Sequence, residues 1–552
     1  MSTQIFNTPT GKRAIYYHTN WSCYGRNFQV KDIPIDSVVD IAYSFYNLSA
    51  DGTVFTGDAW ADTDKRYTDS TGVLPLDSWN DTGNSFYGNF GQFKKLKDAG
   101  AKLNIVLAIG GWTWSNNFSP AMSSNTTRTN VVTSILTLFR KYPIFSGVSI
   151  DWEYVSNDGI NYGNAGNATS PQDCDNFVIF LQQLRSAFNN NGMSNYTIAS
   201  CTVAAPEKAK FDIEKVHPLL DQLHIMTYDM HDGNWGETKA AFHTNPRKSS
   251  CGVYSCEEAA DFYLAKGVPS TKLYIGGALY SRGFSNTDGP GKPASGGSPD
   301  KSWEDGLVDY KNLPLPGATE YLDPESKAAY SYDPVKRVFN NYDNVESIIE
   351  KARIIYEKNL GGIILWENSS DKPINDPRSI TTALKNTLTH GKPTALGPIT
   401  PQPTPQPPQP QQPTPQPPQP PQPQQPTPQQ PQPQQPQQPQ QPTPQLGVKP
   451  WTDNTKYIIG DLVSHMGKNY QCLLVHGSIV TWAPGIFTQS IWKETIGTPQ
   501  PQQPAPQPQP QPPQPTPQPT PQPQPIPGSS NFSVSFDIDG EGIVTNVNVK
   551  RQ

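Results

Sequence analysis

No run of apolar residues in this 552-residue sequence approaches the roughly 20 that span a bilayer, so a membrane-spanning helix is not expected. The opening stretch, MSTQIFNTPTGKRAIYYHTN, lacks the apolar segment of a secretory signal. A soluble chain is expected, exported either with a signal removed ahead of this numbering or by another route. The formal net charge of -6 leaves no basic surface for polyanions, and nucleic acid is not an expected partner. Cysteine is scarce: Cys23, Cys174, Cys201, Cys251, Cys256 and Cys472 lack the paired spacing of a zinc site, so neither a structural metal nor a cofactor is expected. Cys251 and Cys256 are near enough for a disulfide to close a small loop, with free thiols the equal alternative.

Proline is abundant, 59 residues, and unevenly placed. Residues 397–447 and 497–528 are almost wholly Pro, Gln and Thr, which bury no core and favour extended polyproline II. They read as linkers, the first able to separate its flanking domains by on the order of 150 Å at roughly 3.1 Å per residue. They leave a large domain at 1–396, a small module at 448–496 and a tail at 529–552. The tail alternates apolar and polar residues around Asp539-Gly540-Glu541-Gly542, as a β-hairpin does, and is too small to be stable alone.

Within 1–396, short β-rich apolar runs recur at 14–17, 39–45, 103–109, 147–151, 197–203, 223–228, 273–278 and 362–366. Runs of this kind separated by helix-length stretches predict an α/β fold, a (β/α)8 TIM barrel. Amphipathic segments at 131–142, 174–189 and 345–358 supply outer helices. On periodicity alone a doubly wound open sheet is the alternative; against it, no Gly-rich phosphate loop follows an early strand.

The run Gly147-Val148-Ser149-Ile150-Asp151-Trp152-Glu153 begins as a buried strand and ends in acids. Residues two apart share a face, so Ser149, Asp151 and Glu153 line up while Ile150 and Trp152 point away. Two carboxyls side by side at a strand end cannot both ionise cheaply, which keeps one protonated as a general acid requires. The plainer reading is that both acids pair with loop cations. Trp112, Trp114, Tyr228 beside Asp229, Trp235, Tyr280 and Trp366 fall at other strand ends, where aromatic rings either stack on sugar faces or fill a core.

With these motifs in place, residues 13–390 resemble glycoside hydrolase family 18, the chitinases with a D-x-x-D-x-D-x-E signature. The resemblance rests on Tyr17-His18-Thr19-Asn20-Trp21, Ala108-Ile109-Gly110-Gly111-Trp112, Met226-Thr227-Tyr228-Asp229, Tyr280-Ser281-Arg282-Gly283-Phe284 and Gly361-Gly362-Ile363-Ile364-Leu365-Trp366-Glu367. It implies an α+β insertion at about 284–341, between the seventh and eighth strands. It also implies substrate-assisted retention, in which the acetamido oxygen of the sugar is the nucleophile. Glu153 would be the acid, Asp151 the partner that orients the acetamido group, and Tyr228 a donor to its carbonyl oxygen. Trp366 would floor the distorted sugar. Asp229, Met226, Arg282, Tyr17 and Phe45 would complete the pocket, with Trp112, Trp114 and Trp235 stacking sugars further along.

The sequence departs from the signature at Ser146 and Ser149, which occupy its first two aspartate positions, and at Ala108, where serine is common. Ser149 removes a like charge beside Asp151 and should let it ionise more easily. The segment 448–496 resembles carbohydrate-binding modules of families 5 and 12, which implies a small all-β fold. Trp451 and Trp492 would then be mostly core, and Trp482 the residue that stacks on crystalline chitin; core is the alternative for Trp482. The expected function is a secreted, monomeric chitinase acting on chitin and chitooligosaccharides. The alternatives are a chitin-binding lectin on the same fold and an endo-β-N-acetylglucosaminidase.

Overall fold

The computed structural model describes residues 4–80, 86–153, 155–156, 167–391, 449–452, 455–457, 460–465, 468–472, 476–477, 492–495, 532–538 and 544–551. Both predicted linkers and Trp482 lie outside the described residues. The chain divides into two units, 1–408 and 409–552, each taken by itself below.

In the first unit, strands β1 (Arg13–Thr19), β2 (Asp40–Leu48), β3 (Val54–Thr56), β4 (Asn104–Gly110), β5 (Gly147–Asp151), β6 (Thr197–Val203), β7 (Gln222–Met226), β8 (Leu273–Ala278) and β14 (Gly362–Trp366) form one sheet in the order β1-β14-β8-β7-β6-β5-β4-β2-β3. β1 also pairs in parallel with β2, which closes the eight parallel strands into a barrel; β3 is an antiparallel addition to β2. The open-sheet alternative is thereby excluded.

Side-chain alternation sorts the strands into two cores. Ala14, Tyr16, Ile105, Leu107, Ile109, Val148, Ile150, Ile363 and Leu365 face outward into the layer shared with the helices. Ile15, Tyr17, Val106, Ala108, Cys201 and Ile364 fill the lumen. Three α-helices show how the outer layer is made. The first, Asn125–Lys141, starts six residues before the predicted segment because the Ser124 side chain accepts the Thr127 N–H and caps a polar first turn. The second, Asp173–Asn190, buries Phe177, Phe180, Leu181, Leu184 and Phe188 at helical spacing. The third, Val345–Glu357, is capped by Asn344.

Between β8 and β14 a second sheet is inserted. Strands β9 (Tyr280–Phe284), β10 (Val308–Asp309), β11 (Thr319–Leu322), β12 (Ala329–Asp333) and β13 (Val338–Tyr342) are antiparallel in the order β10-β9-β13-β12-β11. Phe284 and Phe339 form its core with Phe242 and Ala240 from the loop after β7. The sheet begins at Tyr280 rather than near 284, because the Tyr-Ser-Arg-Gly-Phe segment is itself a strand of the insertion.

In the second unit, β15 (Lys449–Pro450), β17 (Leu462–His465), β18 (Lys468–Cys472) and β20 (Trp492–Thr495) form one small sheet, and β16 (Lys456–Tyr457) pairs with β19 (His476–Gly477). Tyr457, Val463, Tyr470 and Cys472 make its core, with Trp451 packed against them. Further along, β21 (Phe532–Ile538) and β22 (Val544–Arg551) pair antiparallel. All six cysteines are free, so Cys251 and Cys256 do not form the disulfide considered from their spacing.

Candidate active site

The acids stand where β5 leaves the barrel. The strand ends at Asp151, as the predicted β-rich run 147–151 does, and beyond it the Glu153 N–H leaves the ladder and donates to Ser115 Oγ at 2.8 Å. The Ser115 hydroxyl hydrogen faces the carbonyls of Gly111 and Asp151, at 2.9 and 3.2 Å. Asn167 Nδ2 donates to the Glu153 carbonyl at 2.7 Å. The acid's backbone is thus held from both sides. Trp152 points outward as its position predicts, stacked on Phe118 at 5.3 Å between ring centres.

The turn that brings Ser115 close depends on two glycines with left-handed φ, Gly110 at 106° and Gly111 at 84°. A Cβ on Gly110 would meet the Asp151 carbonyl oxygen at 2.3 Å, and one on Gly111 the Phe45 ring at 2.9 Å.

Asp151 is 3% exposed, and its Oδ1 has no hydrogen-bond partner. Burial pushes its carboxyl up to about 7, against a hydrogen bond from Cys201. Burial, then the charges of Asp151 and Asp229, push Glu153 well above its ordinary value. Among the described residues no cation opposes either shift, so the plainer reading, two acids paired with loop cations, does not hold. Ser149 puts no charge beside Asp151, and burial raises the Asp151 carboxyl nonetheless.

Asp229 behaves differently. Tyr280 donates to its Oδ1 at 2.5 Å, Arg282 Nε bonds the same oxygen, and Arg282 also reaches Asp232 at 2.6 Å. Burial would raise Asp229, yet the Arg282 guanidinium outweighs it and holds the carboxyl below the usual carboxylate value. His243 Nδ1 accepts the Asp229 N–H at 3.3 Å; burial pushes this imidazole down to about 3, so it is neutral. Trp235, 52% exposed, lies 4.9 Å over the same guanidinium.

Tyr228 lies beyond β7, which ends at Met226, and its ring rests on β8 where a Cβ at Gly276 would approach to 2.8 Å. Burial keeps its hydroxyl protonated. Trp366 stacks on Phe45 at 5.6 Å and tilts against Tyr17 at 5.7 Å. Tyr17 and Phe45 are buried and lie under Trp366. Met226 and Trp114 are half-buried against the lumen core, and Trp112 is 44% exposed. The structure therefore gathers Glu153, Asp151, Tyr228, Asp229, Met226, Arg282, Tyr17, Phe45 and Trp366 around one barrel mouth, with Trp112 and Trp235 open to solvent.

Sequence reasoning missed Ser115, Cys201, His224 and His243. Ser115 was findable from the turn-forming Gly110-Gly111 just before it; the other three act through strand register and loop packing, which carry no local motif.

Residues 13–371 match glycosyl hydrolases family 18, and residues 450–493 match carbohydrate-binding module family 5/12. The chain belongs to glycosyl hydrolases family 18. Among relatives of this family 18 chain, Endochitinase 1 of Metarhizium robertsii is 35% identical over 396 residues, covering 69% of this chain and 88% of that protein. Chitinase 1 of Aphanocladium album is 36% identical over 370 residues, covering 65% and 82%. Among solved structures, the catalytic domain of psychrophilic chitinase B from Arthrobacter TAD20 is 28% identical with a TM-score of 0.64, covering 72% of this chain and 99% of that one.

Proposed function

We propose that this glycoside hydrolase is a secreted chitinase that cleaves β-1,4-linked N-acetylglucosamine polymers with the substrate's own acetamido group as nucleophile. The observation that carries the proposal is the Asp151–Glu153 pair: with Asp151 buried, Glu153 half-buried and no cation opposing either among the described residues, Glu153 is kept protonated to donate to the glycosidic oxygen. The other carboxylate near Glu153, Asp229, is held by Arg282 and Tyr280 and is not free to attack an anomeric carbon. The acetamido oxygen then attacks, an oxazolinium ion forms, and water opens it with retention. Asp151, once ionised, stabilises the positive ring, and the Tyr228 hydroxyl donates to the acetamido carbonyl. Trp366, supported by Phe45 and Tyr17, floors the reacting sugar; Trp112, Trp114 and Trp235 take sugars further along.

The module at 448–496 would hold the enzyme on insoluble chitin through Trp482, with the long linker giving the catalytic domain reach. Trp482→Ala should weaken adsorption to crystalline chitin in a pull-down.

The test is to incubate wild type and Glu153→Gln with chitin oligosaccharides and, separately, a high-mannose glycoprotein. Chitobiose released by wild type alone supports the proposal. Glycan release from the glycoprotein would instead indicate an endo-β-N-acetylglucosaminidase. Binding without turnover in both forms would indicate a lectin.

A further inference from the structure

Beneath the acid pair the lumen holds a polar chain that the chemistry above leaves without a task. Cys201 on β6 is 5% exposed. β5 and β6 pair Ser149 with Ala199 and Ile150 with Ser200, so the next step of the register sets Cys201 beside Asp151 on the inward face. Its sulfur lies 3.1 Å from the Tyr17 hydroxyl and 3.9 Å from the Ser149 hydroxyl. The Tyr17 hydroxyl is 3.0 Å from His224 Nδ1, and His224 Nε2 is 3.1 Å from Gln222 Oε1.

The polarity of this chain follows from the protons available. Burial pushes His224 down to about 3, so the imidazole is neutral and carries one N–H. The Gln222 oxygen accepts it at Nε2, leaving Nδ1 to accept from Tyr17. The Tyr17 proton is thereby committed away from the sulfur. The thiol keeps its own proton, since burial pushes Cys201 well above its ordinary value. That S–H stands next to a carboxylate one of whose oxygens, Oδ1, is buried without a partner.

We propose that Cys201 is a positioning residue for Asp151, its thiol aligned by Gln222, His224 and Tyr17 to donate to the carboxylate in place of the carboxyl that the family signature has at position 149. Ser149 is too short for that task, and its hydroxyl turns to the sulfur instead. Cys201, set beside Asp151 by the register, is the group that opposes the effect of burial on that carboxyl. The other groups facing the pair are Tyr17 from β1, Tyr228 and Asp229 beyond β7, and Glu153 itself; Ala108 and Gly110 of β4 bring nothing ionisable. Tyr17 and Tyr228 stay neutral, so the thiol is the donor whose loss should register on Asp151.

The inference rests on the chitinase reading, in which turnover needs Asp151 ionised and Glu153 protonated. The experiment measures kcat against pH on a soluble chitin oligosaccharide for wild type, Cys201→Ala and Cys201→Ser, with thermal unfolding to check that each is folded. Alanine removes the donor, and the acid limb should move up by about one pH unit, an approximately tenfold loss on the acid side of the profile. Serine supplies a stronger donor and should leave the limb at or below the wild-type position. Should the cavity prevent the alanine variant from folding, Cys201→Val fills it and the same upward shift is expected. Active, folded variants whose acid limbs coincide with wild type, or serine moving with alanine, overturn the role of Cys201. No turnover by wild type overturns the chitinase reading and this inference with it.

Discussion

Two pairs of acids share this barrel mouth, and they have opposite fates. Asp151 and Glu153 at the exit of β5 have no opposing cation among the described residues and are both pushed up, Asp151 to about 7. Asp229 and Asp232 beyond β7 straddle Arg282, and Asp229 is held below its ordinary value. The Asp229 side chain is 38% exposed and the Asp232 side chain fully buried, and both are ion-paired with Arg282. Whether an acid is a proton store or a fixed negative charge is decided here by one guanidinium.

The comparison breaks most completely when its proton store is removed. Glu153→Gln keeps the shape and deletes the acid, and kcat on chitin oligosaccharides should fall by about three orders of magnitude. Removing the compensation comes next. Arg282→Met leaves Asp232 buried without its partner, which should cost about 3 kcal/mol in urea unfolding and lower kcat/KM about a hundredfold, with Arg282→Lys recovering part of both. Trp366→Ala removes the floor while leaving both acid pairs, and should lower kcat/KM about tenfold. The smallest effect is on profile shape: Ser149→Asp adds a carboxyl beside Asp151, and the acid limb should widen into two steps, because a proton shared between the two carboxyls eases the first ionisation and the charge it leaves opposes the second. An unchanged limb and unchanged rate in that variant would show that position 149 does not act on Asp151.

Much of this was legible in the sequence because barrel strands alternate strictly. Ile150 and Trp152 read as outward and Ser149, Asp151 and Glu153 as inward, and one alternation gave both core and site. What could not be read depended on partners distant in sequence. Among the described residues no cation opposes the shifts of Asp151 and Glu153, while Arg282 pairs with Asp229, and no local pattern encodes either arrangement. Ser115 takes the Glu153 N–H just beyond the end of β5, and Cys201 meets Asp151 only through the β5–β6 register. The insertion sheet begins at Tyr280 because the Tyr280–Phe284 segment pairs with β13.

The most direct test is a titration of the free enzyme by carbon-13 NMR with labelled Asp and Glu carboxyls, assigned through Asp151→Asn, Glu153→Gln and Asp229→Asn. The account predicts Asp151 titrating near 7, Glu153 titrating well above its ordinary value, and Asp229 ionising below the usual carboxylate range. All three titrating together at ordinary carboxylate values would contradict it.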